Sequence, residues 1–238
     1  MSGPIYTTLA RQQGLMQEMQ VVANNLANSS TTGYKSDRAI FTEFLVATGT
    51  GPEQSVSMGG LGGHAFQMEQ GGLNFTGGRF DLAIQGDGFF RVQTPQGERL
   101  TRAGHFQLSS AGQLIDMQGN AVLSAGGNPI NIPEDALDVT FGEDGTISGN
   151  GQIIDQIGIM RTDGQLQRDS NTYFSADGGV VQNPEAKLVQ GALEQSNVSP
   201  VLEVSRMIEV QRAYEAGQAL LEKEDQRISQ LISAVRER

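Results

Sequence analysis

Hydrophobic residues near the start of the chain recur at alternating steps of three and four. Because a helical turn holds 3.6 residues, this spacing places them on one face and predicts a helix with a heptad-type seam. Gly14 weakens that helix only modestly, and the seam is predicted to end at Asn28. Its members are Ile5, Leu9, Met16, Met19, Ala23 and Leu26, with Gln12 at the step that lacks an apolar residue.

A second heptad pattern fills the C-terminal region. Ser199 is predicted as the N-cap and Pro200 as the first helical residue, because proline's missing N–H is not needed there. A helix of about 37 residues would be roughly 55 Å long, which a β domain of this size cannot cover, so the helical ends require another surface. One column consists of Met207, Tyr214, Leu221, Ile228 and Val235, and a second, polar in its middle, of Val204, Gln211, Gln218, Asp225 and Ile232.

Between the two helical patterns, from about Phe80 to Ser175, the period changes to two. Short alternating runs are separated by turn sequences such as PQG, QGN, EDG and TDG, which is typical of an all-β sandwich or barrel. The pairs Asn150–Gly151 and Asp163–Gly164 favour tight hairpins because both residue types tolerate positive φ. In GDGFF, the Gly-Asp-Gly turn is expected to lead into a strand with one of Phe89 and Phe90 directed to the core.

The segment before the β region has no clear period. FTEFLV fits either a strand or a helical turn, and GTGPEQSVSMGGLGGH is predicted to be a loop from its composition. The predicted fold class is therefore mixed α and β, with N- and C-terminal coiled-coil-type helices flanking a central all-β domain. The predicted divisions are 1–32 (N-terminal helix), 33–78 (connector), 79–182 (β domain), 183–197 (return strand) and 198–238 (long helix).

Composition excludes several functions. The 238 residues carry a net charge of −11 and form no Lys/Arg cluster, which argues against nucleic acid and anionic membrane surfaces as partners. There is no cysteine, and therefore no disulfide or thiolate chemistry. No apolar run is long enough to span a bilayer, and the first twenty residues lack the pattern of a cleaved secretory signal.

Candidate chemistry is sparse. His64 and His105 have no second ligand at zinc spacing, and EDGTISGNGQ departs from the calcium-loop pattern. Asp81 and Asp87 are imaginable as a glycosidase pair, but aspartates in turns are far commoner. We therefore expect no metal, no cofactor and no catalytic residue.

The most unusual stretch is NNLANSSTTGYK, where Asn24, Asn25 and Asn28 close the apolar seam and Gly33 follows. Asparagine both donates and accepts, so these side chains either cap the helix or reach a neighbouring chain. Spacing alone leaves the two alternatives open. Gly33 is suited to a positive φ at the exit from the helix.

Three stretches together resemble the flagellar rod and hook proteins, the axial proteins of the bacterial flagellum. ANNLANSSTTGYK is similar to their N-terminal signature, LAIQGDGFFRVQTPQGERLTRAGHFQLSSAGQLIDMQGNAVL to the block that opens their β domain, and GALEQSNVSPVLEVSRMIEVQRAYEAGQALL to their C-terminal signature. The resemblance implies a subunit that leaves the cytoplasm unfolded through the flagellar type III export apparatus, without a cleaved signal. It would then join a helical tube in the periplasmic rod of the basal body.

Within this family, the chain length favours a rod protein over a hook protein, and the short connector and the start MSGPIYTTLA are most similar to proximal rod members. A distal rod or hook-type protein is the alternative. A β-rich protein of the cell envelope that binds glycan or acts on peptidoglycan is a more distant one.

The resemblance also implies an assembly role for the helical seams, with copies of the chain and neighbouring rod proteins as partners. Polar residues in such seams commonly fix register. The residues expected at the assembly interface are Ile5, Leu9, Met16, Met19, Asn24, Asn25, Leu26, Asn28, Gly33, Val204, Met207, Gln211, Tyr214, Gln218, Leu221, Ile228, Ile232 and Val235.

Overall fold

The structure is a computed structural model that describes residues 3–47, 55–136 and 138–236, with side chains described over 7–42, 62–136, 138–230 and at Ser233. The chain divides into two compact units. The first comprises the described parts of Met1–Ala27, Asp37–Phe66 and Ser199–Arg238, and the second comprises Asn28–Ser36 and Gln67–Val198.

The first unit contains both helices and a hairpin. Helix α1 spans Gly3–Ala27, strands β1 and β2 span Asp37–Ala47 and Ser55–Phe66, and helix α2 spans Pro200–Arg236. The two strands pair antiparallel, with a register shift between Ile40 and Phe41. The first unit thus joins elements from the two ends of the chain.

Both predicted helices are confirmed. Helix α1 ends one residue before Asn28, and α2 has 37 residues beginning at Pro200. The N–H of Glu203 donates to the carbonyl oxygen of Ser199 at 3.1 Å, the first backbone bond of α2. The start of α2 therefore agrees with the predicted cap at Ser199 and the predicted first position at Pro200.

The predicted loop at GTGPEQSVSMGGLGGH is wrong over Ser55–His64, which belongs to β2. Of the two readings of FTEFLV, the strand is confirmed. Composition misled the prediction because glycine lowers strand propensity, but here glycine allows close packing. A Cβ added at Gly62 would lie 2.4 Å from Cγ2 of Thr42 on the paired strand.

The second unit is built from sixteen short strands. In chain order these are β3 (Leu73–Phe75), β4 (Leu82–Gln85), β5 (Phe89–Thr94), β6 (Gly97–Thr101), β7 (Phe106–Leu108), β8 (Leu114–Asp116), β9 (Ala121–Val122), β10 (Val139–Phe141), β11 (Thr146–Gly149), β12 (Gln152–Gln156), β13 (Ile159–Thr162), β14 (Leu166–Arg168), β15 (Tyr173–Ala176), β16 (Val180–Gln182), β17 (Lys187–Gln190) and β18 (Ala192–Glu194).

Most of these strands join one nine-stranded antiparallel sheet. Its order is β14-β15-β6-β5-β9-β8-β7, and β13 pairs with both β5 and β16. Strands β10, β11 and β12 form a separate sheet, while β17 pairs with β4 and β18 with β3. The core lies among these sheets and includes Leu82, Phe90, Leu114, Ile130 and Ile147, each with a side chain that is essentially inaccessible.

The two predicted hairpin turns had different outcomes. Asn150 and Gly151 both have positive φ, 52° and 80°, and join β11 to β12 as predicted. The prediction at Asp163–Gly164 is wrong, because β13 pairs with β16 rather than with β14. Gly164 serves a close approach of two chain segments: a Cβ there would lie 2.7 Å from the backbone nitrogen of Gly178.

The GDGFF turn is confirmed, with positive φ at Gly86 and Gly88. The expectation that only one of the two phenylalanines is buried is wrong. Phe90 lies in the core and its ring contacts that of Phe106, whereas Phe89 is 7% exposed and packs against Phe174. Both faces of β5 are covered at this point, so alternation in the sequence does not imply a solvent-facing side.

The predicted fold class is therefore confirmed: two terminal helices flank a β-rich central region. Within the described residues, no helix is both long and apolar enough to cross a membrane.

A polar cluster links two strands of the large sheet, β15 and β8, through side-chain hydrogen bonds. The phenol of Tyr173 donates to Oδ2 of Asp116 and accepts a bond from Nδ2 of Asn120 at 2.9 Å. Burial, and then the hydrogen bond to Asp116 and its negative charge, raise the pKa of Tyr173 above its ordinary value of 10.0. Ionisation would place a phenolate beside a carboxylate, so the folded state resists it.

This arrangement predicts a stability loss in base. Since the unfolded chain loses the Tyr173 proton first, the contribution is fully present below pH 10 and falls as the pH rises above 10. Tyr173→Phe should remove that part of the pH dependence and lower the free energy of unfolding at pH 7 by about 1 kcal/mol. Thermal melts of both proteins between pH 7 and 11 measure this, and parallel pH profiles would contradict it.

Candidate assembly surface

The two helices of the first unit pair with each other. Arg206 donates from Nε and Nη2 to Oε1 of Glu18 at 3.1 and 2.8 Å, and Nδ2 of Asn25 lies 3.5 Å from Oε2 of Glu203. Later residues of α1 thus meet earlier residues of α2, and the pairing is antiparallel. Val22 on α1 and Val210 on α2 are buried apolar residues of these helices, 1% and 5% exposed.

The predicted stripe on α1 separates into two columns. Gln12 is buried and Met19 and Leu26 are half-buried, whereas Leu9 and Met16 are 54% and 48% exposed. Ala23, in the same column as Leu9 and Met16, is also exposed. The side chain of Ile5 lies outside the described residues. One column therefore packs within the subunit while the other faces away.

The columns on α2 divide in the same manner. Met207, Tyr214 and Leu221 are half-buried and Ile228 is 38% exposed. The side chain of Val235, the last member of this column, lies outside the described residues. In the second predicted column, the side chain of Ile232 also lies outside them, and each of the other members is exposed: Val204, Gln211, Gln218 and Asp225.

A column one residue earlier completes the inward face of α2. Val210 is buried, and Glu203, Gly217 and Glu224 are half-buried. Sequence reasoning missed this column because Gly217 and the two glutamates add little apolar signal. Val210 and the small residue at 217 were the available signals.

Several apolar side chains remain uncovered on the two helices. Val201 and Ile208 are 75% and 46% exposed and share a face of α2 with Val204, 43% exposed, because they are spaced by three and four residues. We refer to Leu9, Met16, Val201, Val204 and Ile208 as the outer apolar residues.

A groove of about 400 Å³ lies beside α1 in the same unit. Gly14 forms part of its wall, and a Cβ added there would lie 3.1 Å from Cε1 of Phe41. Gly14, a weak point in the predicted helix, thus allows the hairpin to approach α1. The lining residues are Thr7, Arg11, Gly14, Leu15, Glu18 and Phe41.

Most of the asparagines act within their own chain. Asn25, 1% exposed, donates through Nδ2 to the carbonyl oxygen of Asp37 and accepts at Oδ1 from the N–H of Asp37, both at 2.9 Å. Asn28 accepts at its carbonyl oxygen from the N–H of Thr31 at 3.1 Å and at Oδ1 from the Thr31 hydroxyl at 3.2 Å. Asn24 is exposed. Asn25 therefore fixes the first residue of β1 to the last turns of α1.

Gly33 adopts the predicted positive φ, 70°. Its N–H donates to the carbonyl oxygen of Glu194 at 2.8 Å, and a Cβ would lie 2.3 Å from the backbone nitrogen of Ala103. Glycine is required here by both conformation and space.

Next to Gly33 lies a buried charged cluster that the sequence did not reveal. Lys35 Nζ lies 2.6 Å from Oε1 of Glu194, and Nε of Arg102 lies 2.9 Å from Oε2 of the same residue. The three side chains are between 0% and 3% exposed. Burial lowers the pKa of Lys35 below 10.5, and its hydrogen bond with Glu194 opposes that shift. Lys35 and Glu194 are separated by 159 residues, so local patterns carry no signal for this contact.

The two histidines considered as zinc ligands, and Asp81 of the pair considered for catalysis, have structural partners. Nδ1 of His64 lies 2.9 Å from Oδ2 of Asp37, and Nδ1 of His105 lies 2.6 Å from Oδ1 of Asp81. Asp87 is exposed in its turn. Among the residues that the structure describes, no group of three or more His, Cys, Asp or Glu side chains is placed to hold a metal ion.

Paired terminal helices with exposed apolar columns are features of a subunit that assembles with others. Three family models match the chain: the flagella basal body rod protein over residues 5–35, the flagellar hook protein FlgE/F/G D1 domain over 83–149, and the flagellar basal body rod FlgEFG protein C-terminal region over 189–234. The chain belongs to this family of flagellar basal-body rod and hook proteins, which confirms the resemblance in the sequence.

Relatives match over nearly the whole chain. The flagellar basal-body rod protein FlgF of Caulobacter vibrioides is 38% identical, covering 91% of each chain, and FlgF of Mesorhizobium japonicum is 34% identical, covering 93% of this chain and 92% of its own. The flagellar basal-body rod protein FlgG of Bacillus subtilis is 30% identical, covering 98% of both chains. These relatives confirm the predicted resemblance to rod proteins of the family.

The close approach at Gly33 yields a mutational prediction. Gly33→Ala should lower the free energy of unfolding of the second unit by roughly 3 kcal/mol or more, because a positive φ and a backbone clash are combined. Gly77→Ala is a matched control: Gly77 has φ 71° and no atom within 4 Å of an added Cβ. It should cost only about 1–2 kcal/mol. Equal losses in denaturant melts of the two variants would contradict the assignment.

Proposed function

We propose that the chain is a structural subunit of the flagellar basal-body rod. It assembles through its terminal helices with copies of itself and with neighbouring rod proteins into the helical tube that transmits torque and conducts exported subunits. The observation that carries this proposal is the exposure of the outer apolar residues, on helices whose opposite faces are already paired within the chain.

The energetics favour further association of the helices. Covering a Val, Leu, Ile or Met side chain contributes roughly 1.5–3 kcal/mol, and five such residues are largely exposed in the single chain. Two helical columns that face away from the pair offer different surfaces to different neighbours. Such heterologous contacts generate an open helical assembly when the rotation between neighbours does not close into a ring.

The predicted interface residues whose exposure is described above enter this proposal in three groups. The half-buried residues hold the two helices together and orient the pair toward neighbouring subunits; they are Met19, Leu26, Met207, Tyr214 and Leu221. The outward residues contact neighbours directly; they are Leu9, Met16, Asn24, Val204, Gln211 and Gln218. Asn25, Asn28 and Gly33 contribute indirectly by fixing the chain where it leaves α1.

The position within the flagellum follows from the relatives. FlgF relatives at 38% and 34% identity support a proximal rod subunit, with a distal rod subunit as the alternative, since a FlgG relative is 30% identical. Location in the periplasmic rod and export through the type III apparatus without a cleaved signal are part of the same proposal.

A catalytic role has little support. Asp81 is 8% exposed, and its carboxylate is occupied by His105 on one oxygen and by the Thr76 hydroxyl on the other. A general acid or nucleophile must instead reach its substrate. We therefore propose that the chain does not act on peptidoglycan.

The assembly proposal predicts the effect of a charge on the outer face. Val204→Glu should weaken incorporation at least about tenfold, since the change removes apolar contact and buries a carboxylate. The stability of the isolated subunit should change by less than about 0.5 kcal/mol, because Val204 is exposed there. Motility of a complemented strain and the amount of subunit in purified basal bodies measure the first effect, and thermal melting measures the second.

Val204→Leu is the matched control, because it keeps an apolar side chain at the same site and should retain motility. Normal basal bodies with Val204→Glu would show that this face is not at an interface. Loss of the isolated subunit's stability would show instead that the face is covered within the chain.

The absence of catalysis is tested on purified protein. Incubation with peptidoglycan sacculi should release no soluble glycan or peptide above a heat-inactivated control. Release that is abolished by Asp81→Asn or Asp87→Asn would overturn the structural assignment.

A further inference from the structure

The charged cluster of the second unit contains two buried cations and one carboxylate. Among the described residues, Glu194 is the one acidic partner within ion-pair distance of Lys35 or of Arg102. Each oxygen of its carboxylate lies beside a different cation: Oε1 accepts a hydrogen bond from Lys35, whereas Oε2 and Nε of Arg102 form an ion pair at 2.9 Å that is not aligned as a hydrogen bond. Oε1 also accepts from the N–H of Gly71 at 3.0 Å.

Backbone carbonyl groups take the remaining donors. Lys35 Nζ donates to the carbonyl oxygen of Glu69 at 2.7 Å. Arg102 Nη1 donates to the carbonyl oxygens of Gly86 and Gly88 at 2.9 and 2.7 Å. Carbonyl dipoles orient the cations but supply no counter-charge. The charge of Asp87 attracts Lys35 more weakly than that of Glu194, so neutralisation by a carboxylate in direct contact depends on Glu194.

The three charges come from distant parts of the chain. Lys35 belongs to the segment that follows α1, Arg102 follows β6, and Glu194 is the last residue of β18. Further bonds join the same segments: the N–H of Gly33 donates to Glu194, and the N–H of Ser36 donates to Oδ1 of Asn197 at 2.7 Å. The segment after α1 is therefore held largely by residues from the C-terminal part of the unit.

We propose that Glu194 controls the folding of the second unit, a role that we call the lock. Segment 28–36 reaches its folded position only when β18 is in place and the Glu194 carboxylate lies beside Lys35 and Arg102. Without Glu194, the site would bury two cations with no anion. Removing one partner from a buried ion pair is strongly destabilising, because the remaining charge is desolvated and uncompensated.

The consequence for assembly rests on the proposed function. In a chain that is exported from its N-terminus, the segment around Lys35 would emerge before Glu194. It could not be fixed until almost the whole second unit had passed. The lock would thus delay folding of the N-terminal signature until the unit is complete.

The test compares four full-length variants: Glu194→Gln, Lys35→Met, the double variant, and Glu143→Gln. Glu194→Gln should lower Tm by about 10 °C or more and speed amide exchange at Gly33 and Ser36 at least about 100-fold. Lys35→Met leaves the Arg102–Glu194 pair one to one and should lower Tm less.

The double variant distinguishes a lock from simple additive contacts. Adding Lys35→Met to Glu194→Gln removes one uncompensated cation, so it should raise Tm above that of Glu194→Gln alone. If Glu194→Gln does not fold, the double variant should still recover a cooperative transition. Additive losses, or a double variant no better than Glu194→Gln, would overturn the proposal.

Glu143→Gln is the matched control for the same chemical change. Glu143 lies 2.8 Å from Lys187, with side chains that are 75% and 62% exposed, so its loss should leave Tm nearly unchanged. A Glu194→Gln protein as stable as this control would also overturn the lock. These measurements use the isolated protein and do not depend on incorporation into a rod, so they fail or succeed independently of the proposed function.

Discussion

The structure depends on bringing the two ends of the chain together. In the first unit this occurs through the antiparallel pairing of α1 with α2. In the second unit it occurs through the carboxylate of Glu194, which lies 2.6 Å from Nζ of Lys35, with side chains that are 0% and 1% exposed. Both contacts join residues separated by most of the chain, and loop-closure entropy makes such contacts late and costly to form. Neither unit is therefore complete until the C-terminal third of the chain is present.

Pairing the helices within the subunit also defines what remains for neighbours. A heptad seam on a free helix would be satisfied by any partner of similar pattern. With Val22 and Val210 buried inside the first unit, the outward columns are left, with Met16 and Val204 among them. A polar residue also lies on the inner face: Gln12 is 9% exposed, and its side chain lies 3.5 Å from a Cβ added at Gly217 of α2. In the proposed assembly, stability of the subunit and selection of neighbours would therefore be carried by different faces of the same helices.

Local periodicity was sufficient for the elements whose formation is itself local. The predicted helix from Pro200 and the Asn150–Gly151 hairpin needed only cap residues, spacing and tolerance of positive φ. Where packing between distant segments decides the conformation, the prediction from the sequence was wrong or could not be made. At residue 164 a glycine is needed because the backbone of Gly178 lies close to it, and not because of a hairpin turn. In β2, Gly62 packs closely against Thr42. The inward column through Val210 and Gly217 was displaced by one residue from the predicted one, because a small residue packs well but adds little hydrophobic signal.

The asparagine-rich segment illustrates how a single sequence feature serves several physical needs. Asn25 forms hydrogen bonds with both backbone groups of Asp37 beside the helix. Asn28 forms hydrogen bonds in the following turn. Gly33 then allows the chain to lie close to the backbone at Ala103, where a Cβ on residue 33 would be only 2.3 Å from the nitrogen of Ala103. The segment then reaches Lys35, which pairs with the carboxylate of Glu194. An apolar segment of equal length could not satisfy these backbone groups, whereas a charged one would add desolvation cost at each buried position. Short amide and hydroxyl side chains meet both conditions, which explains why the chain leaves its first helix through a segment of this composition.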